Sequence, residues 1–87
     1  KPIILDMARP YKNSSQHAEL INFGKAVRST RLEMGISQES LAELADIDRS
    51  YMGGVERGEH NLALINMKRI AKALEVPISL IMKKADL

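Results

Sequence analysis

The sequence predicts an all-α domain of five helices, on three observations. From residue 17 onward, apolar residues recur at spacings of three and four, the period of a helix with one buried face. Gly35, Asp46, Gly58 and Pro77 punctuate that pattern and divide it into segments of helical length. No stretch reads as a strand, an internal repeat or a low-complexity tract.

Taken in order, residues 1–16 (KPIILDMARPYKNSSQ) hold two prolines and an Asn-Ser-Ser cluster, with no sustained period. They read as a flexible N-terminal arm, with a short extended piece at Ile3–Leu5. Residues 17–87 form the folded domain. A first helix over 17–34 carries Leu20, Phe23, Val27 and Thr30–Arg31 on one side and stops at Gly35. Ser37 is a good N-cap for a short second helix over 38–45, whose apolar face is Leu41, Ala42 and Ala45. Asp46 tolerates a left-handed turn, Ile47 plugs the core, and Asp48 caps a third helix over 49–57. That helix buries Met52 and Val55 and ends at Gly58. A loop at 59–62 leads to a fourth helix over 63–75, with Leu64, Met67, Ile70, Ala71 and Leu74 on its apolar side. Pro77 starts a fifth short helix, Ile78–Met82.

Composition narrows the function. The 87 residues suit one domain with a small core, and that core is aliphatic because Tyr11, Phe23 and Tyr51 are the only aromatics. There is no cysteine, hence no disulfide framework and no thiolate zinc site, which fits a cytoplasmic protein. The apolar runs are far too short to span a membrane. Thirteen basic against 11 acidic residues leave a net charge of +2. Nucleic-acid binding is compatible with that balance, but it must rest on placed contacts and not on bulk charge.

Enzyme readings find no support. His17 and His60 stand far apart in sequence, without the spacing of a metal site. Asp46 and Asp48 suit a turn and a cap better than acid–base chemistry, and no phosphate loop or nucleophile motif is present. No cofactor is implied. One feature resists a purely structural account. Gly53 and Gly54 lie side by side in the third helix, where each costs about 1 kcal/mol relative to alanine.

Two short helices joined by a tight turn, the second capped, suggest a helix-turn-helix. The stretch SQESLAELADIDRSYMGGVERGEHN, with IAKAL downstream at Ile70–Leu74, resembles the lambda-repressor-like or XRE helix-turn-helix family over about residues 20–82. Within it, DRSYMGGVERGEHN is most similar to the controller proteins of restriction–modification systems. The resemblance implies a sequence-specific transcription regulator that binds a palindromic double-stranded DNA operator as a homodimer. A protein-interaction module, adaptor or antitoxin-like, that keeps the fold without reading DNA is the alternative. Contact with RNA polymerase is left open.

Carried onto this chain, the resemblance places the third helix in the major groove, with Arg49, Ser50 and Tyr51 in its first turn facing the duplex. Arg49 has the donor fork for guanine, while Tyr51 either touches DNA or packs against the second helix. Gln38 and the second helix's N-terminus are expected at the phosphate backbone. Gly54 implies close approach, either to DNA or to the Ala42 face. Arg57, His60 and Asn61 lie where the family runs beside the other strand, although controller proteins often have Arg at the place of His60. Arg31 and Glu56 match the family's structural ion pair. Leu80, Ile81 and Met82 exceed what one short helix needs internally and are expected at the dimer interface, the alternative being that they cap the monomer core. Ala63 departs from the family's capping Ser or Thr, so Asn61 caps the fourth helix or it starts unsupported. Lys1, Arg9 and Lys12 of the arm are candidates for a minor groove, and Ile3–Leu5 for a dimer contact.

Overall fold

The computed structural model describes residues 17–87, so the expectations for the arm (Lys1, Ile3–Leu5, Arg9 and Lys12) fall outside the described residues. Five helices and no strand are found among the described residues: α1 (Ala18–Met34), α2 (Gln38–Ala45), α3 (Arg49–Arg57), α4 (Leu64–Ala73) and α5 (Ile78–Lys84). The all-α fold class read from the sequence is the one observed.

Local chemistry sets most boundaries. Ser37 Oγ accepts the Ser40 amide at 3.0 Å and starts α2. One carboxylate oxygen of Asp48 accepts the amides of Ser50 at 3.0 Å and Tyr51 at 3.3 Å, satisfying two orphan donors of α3. Gly35, Asp46 and Gly58 terminate α1, α2 and α3 with positive φ angles of 77°, 57° and 78°. The residues after the first two, Ile36 and Ile47, send their amides back to Arg31 and Ala42 and pack on the core. Glu75 and Val76 repeat this arrangement after α4, with φ 59° at Glu75.

The last two helices differ from expectation at their ends. α4 begins one residue later and stops two residues earlier than expected, and Ala63 provides no side-chain cap. Leu64 was expected on its buried face but is 63% exposed, as is Ile65, because α4 meets its neighbours only further along. α5 runs two residues past Met82, to Lys84.

Every helix contributes to one core. Val27, Leu41, Met52, Val55, Ile70 and Ile81 are its largest fully buried side chains. α1 packs on α3 and α5, α2 on α3 and α4, and α4 on α5. Polar ties close the remaining gap. Lys84 Nζ, on α5, donates to Thr30 Oγ1 at 2.9 Å and Glu33 Oε1 at 3.1 Å, both on α1. Thr30 in turn donates to the Ala26 carbonyl at 2.8 Å.

Candidate nucleic-acid interface

Three side chains clamp α3 from behind. Arg31 Nε donates to Glu56 Oε2 at 2.7 Å and its Nη2 to Glu56 Oε1 at 3.0 Å, a bidentate pair within the protein. Its remaining Nη1 donates to the Ile36 carbonyl at 3.0 Å. Burial of both partners makes the geometry matter, since a desolvated charge is tolerable only when its hydrogen bonds are filled. Hydrogen bonding to Glu56 raises the Arg31 pKa and outweighs the opposing effect of burial, so Arg31 is permanently charged. No buried side-chain polar atom among the described residues lacks a partner.

Gln38 is the third member. Its Nε2 donates to Glu56 Oε1 at 3.1 Å, joining the start of α2 to the end of α3. The sequence points this side chain outward; it turns inward instead, although an amide has two N–H donors and this bond uses one. Gly53 makes room for it. A methyl group there would lie 3.2 Å from Gln38 Oε1 and 3.1 Å from Arg57 Nη1.

The opposite side of α3 is open. Arg49 and Ser50, just beyond the Asp48 cap, are exposed. Tyr51 is half-buried, but the face of its ring is taken by His60: the rings stack with centroids 4.2 Å apart and planes 10° from parallel. His60 reaches this position because the chain reverses at Gly58 and the Glu59 amide bonds the Gly54 carbonyl at 2.9 Å. The imidazole then lies directly over Gly54, where a methyl group would stand 2.6 Å from its Cδ2. Gly54 is therefore buried, and its close approach within the chain is to His60.

Arg57 is exposed and paired. Its Nε and Nη2 donate to the two carboxylate oxygens of Glu59, at 2.8 and 3.1 Å. The hydrogen bond from Arg57 is the main influence holding the Glu59 carboxyl below its ordinary range. Asn61 is exposed in the loop that follows.

At the far end, the three candidate interface residues part company. Ile81 is fully buried in its own core, so it cannot meet a second chain; it is a core residue. Leu80 is 39% exposed. Met82 is half-buried and lines an apolar groove of about 170 Å³ with Leu20, Phe23, Leu62, Met67 and Leu87.

Gly24 escaped the sequence reading altogether. It sits where α1 crosses α3, against the carbonyls of Val55 and Glu56. A lone glycine within a long helix was the available signal.

Among the described residues, no group of three or more His, Asp or Glu side chains is placed to hold a metal ion, and no helix is long and apolar enough to cross a membrane.

Comparison with known proteins gives a consistent result. Residues 27–81 match the sequence profile of the helix-turn-helix family. The control protein C.MunI of a Mycoplasma species is 37% identical over 60 residues, spanning 68% of this chain and 81% of that protein. The control protein C.BamHI of Bacillus amyloliquefaciens is 46% identical over 55 residues, spanning 62% of this chain and 68% of its own length. The crystal structure of the restriction-modification controller protein C.AhdI from Aeromonas hydrophila superposes with a TM-score of 0.73 at 45% identity, covering 75% of this chain and 98% of that one.

Proposed function

Because the chain belongs to the XRE helix-turn-helix family, we propose that it is a cytoplasmic transcription regulator that reads a palindromic operator as a homodimer, in the manner of a restriction–modification control protein. The observation that carries this reading is the asymmetry of α3. One side is fastened by the Arg31–Glu56–Gln38 network, while the first turn presents Arg49 and Ser50 to solvent. A helix held on one side and open on the other suits insertion into a major groove.

In this reading Arg49 addresses guanine O6 and N7 and Ser50 an adjacent base edge. The second amide hydrogen of Gln38 and the N-terminus of α2 hold a phosphate. Arg57, His60 and Asn61 lie along the backbone beside Tyr51. A second copy, joined through exposed Leu80 and the rim at Met82, sets two recognition helices about 34 Å apart, one helical turn of DNA. The control proteins among its relatives support the regulatory role.

Selection of bound duplexes from a random pool tests the proposal. A two-fold symmetric consensus is expected, with affinity falling steeply as salt rises. Arg49→Ala should relax preference at one position of each half-site by about 1–3 kcal/mol. Absence of salt-dependent binding at near-physiological ionic strength would favour a protein-interaction module.

A further inference from the structure

We infer that Gly54 is a positioning residue: it seats the His60 imidazole so that Tyr51 and His60 meet the duplex as one preformed two-ring platform. The inference rests on the DNA-binding reading above. It starts from a cost, a glycine inside a nine-residue helix, that nothing in the core requires. Tyr51 and Gly54 are three residues apart, so they share a face of α3. The reversal at Gly58 brings the chain back over that face and lays the ring of His60 on Gly54, parallel to Tyr51.

Only hydrogen at position 54 permits this seat. The atoms that a methyl group would strike belong to the end of a loop side chain and not to backbone. An alanine there displaces the imidazole and leaves the rest of the fold alone. Gly24 is the converse, because its neighbours are main-chain carbonyls that cannot step aside. The glycine at 54 thus serves binding more than folding. Rings already stacked spend little ordering entropy when DNA arrives, and rings set loose must be ordered again.

The test uses Gly54→Ala, His60→Ala and the double variant, in the full chain. Three readouts are needed: thermal melting, affinity for the selected duplex, and the proton resonances of the imidazole, which a stacked tyrosine shifts upfield. Gly54→Ala should melt at or above the parent temperature, lose the upfield shift and bind about three- to tenfold more weakly, the scale of re-ordering one or two side chains. The double variant should bind no worse than His60→Ala alone. Parent-like binding by Gly54→Ala, or additive losses in the double variant, would overturn the proposal. If the parent binds no duplex, the DNA-binding reading has failed; the resonance shifts then still report whether Gly54 seats the imidazole.

Discussion

Gly24 and Glu56 touch through main chain: a methyl group at position 24 would stand 2.6 Å from the Glu56 carbonyl oxygen. The Val55 carbonyl lies closer still. α1 and α3 therefore cross at a distance that admits no side chain, and α3 takes its height above the core from that contact. Gly24→Ala should gain about 1 kcal/mol of helix propensity and lose more, because overpacking typically costs about 1–3 kcal/mol and backbone yields poorly. The expected net result is a lower urea midpoint in chemical denaturation, with DNA affinity reduced further when α3 is pushed outward. A midpoint equal to the parent's would show that the crossing is looser than the geometry indicates.

The Arg31–Glu56 pair makes a second prediction. Arg31→Met or Glu56→Leu alone leaves the surviving charge buried, at a cost of about 3–5 kcal/mol. Replacing both with apolar residues of similar volume, as in Arg31→Met with Glu56→Leu, should recover much of that loss. Denaturation of the four proteins forms a double-mutant cycle. A double variant as unstable as the sum of the singles would refute strong coupling. Gln38 loses its acceptor in the double variant, so DNA binding should recover less than stability does.

Of these two contacts the Arg31–Glu56 pair was legible, through the family resemblance, and the Gly24 crossing was not. α2 and α3 could be bounded residue by residue because Ser37, Asp48, Asp46 and Gly58 act on backbone groups within a few positions. α4 and α5 have no side-chain caps, and their C-terminal turns rest on Glu75 and Asp86 at positive φ, residues that do not advertise that conformation. Arg49 and Ser50 are exposed just past the Asp48 cap, which fixes the direction of the first turn. The inward turn of Gln38 and the burial of Ile81 depend on chain segments brought together from a distance, and the His60 seat on Gly54 depends on the path of the loop after Gly58. Local periodicity holds no record of them.

Glu59 supplies the third prediction, because it occupies the guanidinium of Arg57. A carboxylate beside a proposed phosphate-facing arginine both competes for it and repels the duplex. Glu59→Gln should therefore strengthen DNA binding several-fold and steepen the salt dependence by about one unit, the signature of one more phosphate neutralised. Stability should scarcely change, as both groups are exposed. The carboxyl's lowered pKa fixes the sign of the acid response. Whatever the pair contributes to folding is present above the ordinary carboxylate pKa and disappears as pH falls through the lowered value. A salt titration that leaves the slope unchanged would place Arg57 away from the phosphates.

Leu80 and Ile81 are neighbours in sequence with opposite surroundings, and so they separate folding from assembly. Ile81 is fully buried among core side chains of the same chain, whereas Leu80 is partly open to solvent. Ile81→Ala should cost about 2–5 kcal/mol through lost burial and a residual cavity, and should lower thermal stability at every protein concentration. Leu80→Lys should leave the monomer's helical content intact, since its side chain reaches water. If α5 joins the two copies, the added charges repel across the interface and must be desolvated to form it. Sedimentation should then show monomers at concentrations where the parent is dimeric. Operator affinity should fall with the loss of the second half-site, whereas each monomer should keep the base preference proposed for Arg49. A Leu80→Lys protein that remains dimeric would move the interface off this face of α5.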